Sequence, residues 1–282
     1  MHLGFDIGGS SIKAALVQKN KIVGTRFERL PKNFEGLVKA IVGIKNDFTS
    51  NKALKIEGVG FSIAGPLDKK REKVLNSCNI SYLNNKPFLQ RFKRELSPFP
   101  VVIEHDVYCF LLAEFKVGAA KKYKNVFYLA LGTGIGGAFM IDGKIIKGSH
   151  GSAGEVGRTI IDINGEKVWE DVAANKFIRK KLGLYFSEAK QRADAGNKIA
   201  AQIFGEMGKN LGIGIANIIN TFDSEVIIIG GGVASAKNLL KPGIKKGIEK
   251  YVVSPEARKT KILWSKLGRF GGALGAALLF EK

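Results

Sequence analysis

Three glycine-crowded turns, each fed by a run of apolar residues, carry the chemistry this sequence can do: Asp6-Ile7-Gly8-Gly9-Ser10-Ser11, Leu131-Gly132-Thr133-Gly134-Ile135-Gly136-Gly137 and Gly230-Gly231-Gly232-Val233. Glycine lets backbone approach an anion closely, so adjacent amides at such a turn can point at one phosphate. A single glycine after a strand is more often a plain hairpin or bulge. Three in one chain point to a phosphate or nucleotide ligand.

The first two turns share their surroundings. A strand over residues 2–7 enters the first turn and residues 12–17 leave it, with a hairpin at 19–21 leading into residues 22–27. Residues 126–131 enter the second turn and 137–141 leave it, and Asp142-Gly143, a strong hairpin signal, leads into 144–147. Each unit reads as a three-stranded antiparallel meander with a glycine turn at its first corner. The repeat distance, about 124 residues, exceeds any solenoid period and implies two similar domains.

Around these units the pattern alternates. Helical periodicity runs over residues 34–48, 88–96, 107–117, 187–221, 238–251 and 271–280, and strands over 56–63, 101–104, 225–229 and 261–266. Strand 101–104 delivers His105 and Asp106 to a strand-to-helix junction, where an aspartate can cap the helix or serve chemistry. The class is α/β.

Composition sets the limits. The 282 residues, 45% of them hydrophobic, suffice for about two compact domains. No apolar stretch approaches the roughly 18 to 20 residues of a membrane span, and Met1 runs into a strand without a leader, so a cytoplasmic protein is expected. Cys78 and Cys109 form no C-x-x-C pair and read as reduced thiols. The net charge of +20 comes from short basic groups scattered among Glu and apolar residues. It implies a solvated lysine-rich surface that attracts anions, with specific nucleic-acid binding not expected.

Six motifs in order then carry a family resemblance: Asp6-Ile7-Gly8-Gly9-Ser10, Gly65-Pro66-Leu67-Asp68, Glu104-His105-Asp106, the 131–137 turn, Gly151-Ser152-Ala153-Gly154-Glu155-Val156-Gly157, and Ile229-Gly230-Gly231-Gly232-Val233. The chain resembles the ROK family of repressors and sugar kinases over nearly its whole length. The resemblance implies two ribonuclease-H-like domains of the actin/hexokinase superfamily, with an interdomain cleft closing over ATP and a sugar. It places the N-terminal domain at residues 1–107, with a C-terminal helix at about 270–282 packing back on it, and the nucleotide-binding domain at 108–269.

The same resemblance assigns roles. Gly8, Gly9 and Ser10 would hold terminal phosphates and Asp6 a magnesium ion through water. Gly132, Thr133, Gly134 and Gly136 would cradle phosphates, while Gly231, Gly232 and Val233 line the adenosine. Asp106 would be the general base that accepts the proton of the attacking sugar hydroxyl. Gly65, His105, Glu155, Arg158 and Glu170 would contact the sugar. Three positions depart from the family pattern: His105 replaces an Asn, Tyr108 stands where a second Asn is common, and Arg158 replaces the His that ends the Gly-Glu-x-Gly-His motif. Residues 159–170 contain no cysteine, so the structural zinc site of many relatives is not expected. His150 reads as a loop residue beside the sugar. The expected activity is ATP-dependent phosphorylation of a hexose or hexose derivative by a homodimer, with Mg2+ as cofactor. The alternative is a non-catalytic sugar sensor or repressor-like member; with the first strand beginning at residue 2, no DNA-binding module is expected before it.

Overall fold

The computed structural model describes residues 1–50, 55–77 and 79–281. They pack as two units. The first comprises Met1–Lys121, Ile145–Ala153 and Leu267–Lys282. Its sheet contains β1 (His2–Ile7), β2 (Ser11–Gln18), β3 (Lys21–Arg29), β4 (Gly58–Ile63) and β5 (Val101–His105), in the order β3-β2-β1-β4-β5. The first three form the expected antiparallel meander, and β4 and β5 add in parallel to β1. Helix α1 (Phe34–Thr49) starts where the Asn33 side chain accepts the Gly36 N–H at 2.8 Å, and buries Leu37, Val38, Ile41, Ile44 and Phe48 at helical spacing. With α2 (Phe88–Glu95) it covers one face, where Phe61 stacks on Phe5 at 5.2 Å and meets Phe88 edge-on at 5.3 Å.

The other face takes a C-terminal helix, Gly271–Ala277, at backbone contact. A Cβ at Gly4 or Gly60 would fall 1.9 Å or 2.0 Å from the carbonyl oxygens of Ala273 and Ala276. Helix α3 (Asp106–Lys116) packs on this same helix, since a Cβ at Gly275 would lie 1.9 Å from the Cys109 carbonyl oxygen. The unit therefore extends to Lys121, past the limit at 107 read from the sequence.

The second unit comprises Lys122–Lys144 and Gly154–Lys266. In chain order it holds β6 (Val126–Leu131), β7 (Ile135–Ile141), β8 (Lys144–Ile145), a hairpin of β9 (Ile160–Asp162) and β10 (Lys167–Val168), α4 (Trp169–Ala173), α5 (Asn175–Leu182), α6 (Phe186–Asp194), α7 (Lys198–Phe222), β11 (Val226–Gly230), α8 (Lys237–Tyr251) and β12 (Lys261–Trp264). Its sheet runs β12-β11-β6-β7-β8, with β7 antiparallel to β6 and β11 and β12 parallel to it. Read outward from the strand that enters the glycine turn, this is the order of the first sheet. The duplication is thus one of topology.

Two elements differ from the sequence reading for local reasons. The helical run 187–221 is two helices, broken where Gly196 takes a φ of +89° and Asn197 caps α7 by accepting the Ala200 N–H at 2.9 Å. Helices α4 and α5 are too short to show periodicity in an 11-residue window and were not anticipated. Among the described residues no helix is long and apolar enough to cross a membrane.

Candidate functional site

In the first unit Asp6 sits one residue before the end of β1 and is only 5% exposed. The sheet register dictates its partners. Lys13 is its antiparallel neighbour on β2 and places Nζ 3.1 Å from Oδ2, while Ser62, its parallel neighbour on β4, donates its hydroxyl to Oδ1 at 2.9 Å. Gly272 leaves the room this needs, because a Cβ there would come within 2.7 Å of the carboxylate. In the following turn the Gly8 N–H donates to the Ser11 carbonyl at 3.1 Å, and the amides of Gly9 and Ser10 have no acceptor among the described residues. Asn79 packs behind Gly9. Gly65 takes a φ of +114° in the turn after β4, a conformation that favours glycine.

The junction of β5 and α3 concentrates polar groups. Asp106 is the first residue of α3; its Oδ1 accepts the Val107 N–H at 2.8 Å and lies 3.3 Å from His105 Nε2. Asp106 is thus inside the first turn of α3, with His105 in the N-cap position, and its side chain stays 30% exposed. His105 is 7% exposed, its Nδ1 has no hydrogen-bond partner among the described residues, and its ring meets Tyr108 edge-on. The Tyr108 hydroxyl donates to the Ala153 carbonyl at 2.7 Å. Glu104, 3% exposed, accepts the His105 N–H at 2.9 Å, the Arg71 Nε at 3.2 Å and the Lys147 ammonium. Burial, and after it the carboxylates of Glu104, Asp6 and Asp106, push the Cys109 thiol well above its usual range. Cys109 is a free, buried thiol, and Cys78 lies outside the described residues.

In the second unit the Gly132 N–H closes its turn onto the Gly134 carbonyl at 3.0 Å, and the amides of Thr133 and Gly134 have no acceptor among the described residues. Helices α4 and α5 support this turn from behind. The Asn175 N–H donates to the Gly132 carbonyl at 3.0 Å, and Glu170 accepts the Ile135 N–H at 3.4 Å. The other Glu170 oxygen pairs with Arg158 and Lys176, each at 3.1 Å. Arg158 thus pairs with an acidic neighbour, Glu170. Glu155 itself is exposed, immediately before the turn Val156–Arg158. At the third turn Gly231 takes a φ of +84° and packs so closely that a Cβ would lie 2.2 Å from the Leu131 carbonyl oxygen. Gly231 and Gly232 are exposed, while Val233 is fully buried.

Residues 159–170 form the β9–β10 hairpin, closed by Asp162, which accepts the Gly165 N–H at 3.0 Å and pairs with Lys167 at 2.8 Å. Among the described residues no three His, Cys, Asp or Glu side chains converge as metal ligands. His150 is an exposed residue of the first unit.

The family model described as the ROK family matches residues 2–282. The chain belongs to the ROK family. A solved structure of a ROK family glucokinase from Streptomyces griseus, in complex with glucose and AMPPNP, superposes with a TM-score of 0.86 at 27% identity, covering 99% of this chain and 98% of that one. This ROK protein therefore has the actin/hexokinase fold of the family. An N-acetyl-D-glucosamine kinase from Vibrio parahaemolyticus is 30% identical over the whole of both chains. A xylose repressor from Bacillus spizizenii is 27% identical over 97% of this chain and 75% of its own length.

Sequence reasoning missed Lys13, Ser62, Arg71, Asn79, Glu104 and Lys147. Lys13 had a signal, since alternation along β2 puts it opposite Asp6 once the register is set by the turn. Arg71 and Lys147 had none, because residues 69–87 show no periodicity and Lys147 belongs to a segment that rejoins the first unit from far along the chain.

Proposed function

We propose that this ROK protein transfers the terminal phosphoryl group of ATP to a hydroxyl of a hexose derivative. The observation that supports this most is Asp6: a buried carboxylate at the mouth of a glycine turn, already facing a cation, the Lys13 ammonium. Such a carboxylate, with the unspent amides of Gly9 and Ser10 beside it, fits a hydrated magnesium ion and the phosphates it accompanies. Magnesium would neutralise charge on the transferred group. Asp6 would hold it through water, and Lys13 would give up its place to it. Phosphoryl transfer asks little covalent chemistry of a protein, so positioning and one base suffice.

Asp106 serves as that base. The Val107 N–H at the start of α3 holds its Oδ1, and its other carboxylate oxygen would accept the sugar hydroxyl proton. The turns at 132–136 and 231–233 supply amides for the remaining phosphates and the adenosine, and Gly65, His105, Glu155, Arg158 and Glu170 select the sugar. His105 offers one donor and one acceptor where Asn would offer a two-hydrogen donor, and Arg158 adds a permanent charge, so the preferred sugar is an amino-, acetamido- or otherwise altered hexose and glucose a modest substrate. The relation to an N-acetyl-D-glucosamine kinase agrees with this. No zinc is required, and the working form is a cytoplasmic homodimer.

The competing reading, a sugar sensor without turnover, draws on the likeness to a xylose repressor and on the departures at His105, Tyr108 and Arg158. A coupled ADP-release screen over glucose, mannose, fructose, N-acetylglucosamine, N-acetylmannosamine, glucosamine and kanosamine separates the two. Turnover with any one supports the kinase; saturable sugar binding without ADP release from any supports the sensor.

A further inference from the structure

Arg71 occupies an unusual place. Its backbone φ is +58°, a left-handed conformation that glycine adopts freely and an arginine rarely does. The turn that imposes it is tightly made: the Arg71 N–H donates to the Asp68 carbonyl at 2.9 Å, and the Asp68 carboxylate accepts the next two amides, Glu72 at 2.6 Å and Lys73 at 2.8 Å. The side chain this conformation directs inward is only 16% exposed and makes three contacts. Its Nε pairs with Glu104 at 3.2 Å, its Nη1 donates to the Gly151 carbonyl at 3.3 Å, and its guanidinium lies over the Tyr108 ring at 5.7 Å.

These partners belong to two different stretches of the first unit. Glu104 and Tyr108 flank His105 and Asp106, while Gly151 belongs to the segment Ile145–Ala153 that rejoins this unit from elsewhere in the chain. Two more contacts tie the same stretches together, Lys147 to Glu104 and the Tyr108 hydroxyl to the Ala153 carbonyl. Glu104 passes the constraint on by accepting the His105 N–H.

We propose that Arg71 is a positioning residue that clamps the 145–153 segment onto the β5–α3 junction and, through Glu104, fixes the orientation of His105 and Asp106. The clamp rests on the reading of Asp106 as base, but its geometry can be tested apart from that reading. A planar guanidinium can satisfy a carboxylate and a carbonyl at once, and a lysine can satisfy one of them.

The experiment compares Arg71→Gly and Arg71→Lys with the wild type. Arg71→Gly removes the clamp while giving the backbone the residue its φ prefers, so folding is retained and the melting temperature stays close to that of the wild type. Hydrogen exchange in residues 145–153 should become about tenfold faster or more, with exchange in the β1–β2 turn unchanged. With the best sugar, kcat should fall about 10- to 100-fold while the KM for ATP stays within about twofold. Arg71→Lys should recover part of both. Wild-type exchange in 145–153 with wild-type kcat in Arg71→Gly overturns the proposal, as does equal loss of kcat and of ATP affinity, which would mark a general structural role. If the wild type releases no ADP with any sugar, the kinase reading falls and the exchange comparison alone decides the clamp.

Discussion

The two glycine turns sit on the same frame and hold different groups. In the first unit β1 and β2 pair with Asp6 opposite Lys13; in the second, β6 and β7 pair with Ala130 opposite Gly136. Position for position, a carboxylate facing a cation has as its counterpart an alanine facing a glycine. The loops differ too, since Ile7 pairs with Ile12 but Leu131 with Ile135, which makes the second turn one residue shorter. A duplicated sheet presents backbone amides at the same place in both units, and on the proposed function the side chains at the strand ends would decide whether that place handles a metal or only cradles phosphate. The exits of the outer parallel strands repeat the lesson. Strand β5 ends on Glu104-His105 and leads into Asp106, whereas β12 ends at Trp264 and leads into Ser265-Lys266.

The asymmetry predicts that chemistry is lost by changes in the first unit and only binding by changes in the second. The largest effect is expected for Asp106→Asn, which keeps the shape and removes the base: turnover should fall by about two to four orders of magnitude with ATP affinity and melting temperature nearly unchanged. Steady-state kinetics that remain those of the wild type would reassign the base. Next is Asp6→Asn, which leaves the Lys13 ammonium without its carboxylate; apparent magnesium affinity should drop about 10- to 100-fold. A magnesium titration of both turnover and the ADP-induced melting shift checks this, and an unaltered titration would remove Asp6 from the metal site.

Substitution of His105 by Asn should change the ratio of kcat/KM between two sugars by about 1 to 3 kcal/mol, with the KM for ATP held. Ratios unchanged by both His105→Asn and Arg158→His would show that these positions do not select the sugar. Ala130→Asp gives the second turn the carboxylate of the first. It should raise the KM for ATP by about tenfold through repulsion of phosphate, without creating a new metal dependence. If instead kcat collapses and KM holds, the division of labour between the turns is wrong.

The smallest effect concerns Cys109. Burial and the neighbouring carboxylates raise its pKa in the folded state, so the native thiol keeps its proton where the unfolded one loses it. Its contribution to stability is full below the unfolded value of about 9 and declines as the pH rises past it. Melting temperatures from pH 8 to 10.5 should fall less steeply in Cys109→Ala than in the wild type, and parallel curves would contradict this.

The frame was legible because its signals are local. Apolar runs, a turn over Lys19 to Lys21, Asp142-Gly143 and glycine turns 124 residues apart set the two antiparallel meanders before any tertiary contact is known, while the places of β4, β5, β11 and β12 come from the structure. The C-terminal helix was legible as well, since alanines and glycines at helical spacing suit backbone-close packing on Gly4 and Gly60. What escaped depends on contacts between distant residues. Nothing in a one-dimensional pattern reveals that Arg71 reaches Glu104 and Gly151, or that Glu170 turns to the amide of Ile135 and to Arg158 and Lys176. The lobe at 159–182 was opaque for another reason: strands of three and two residues and a five-residue helix are held by an aspartate turn and ion pairs, which leave no periodicity.

The most direct test follows phosphorus. With purified protein, magnesium, ATP and the best sugar of the panel, phosphorus NMR should show a sugar phosphate forming in step with ADP, stopping on chelation of magnesium and reduced at least about a hundredfold in Asp106→Asn. ADP accompanied by inorganic phosphate alone, or saturable sugar binding with no ADP from any sugar, would contradict the assignment of this chain as a sugar kinase.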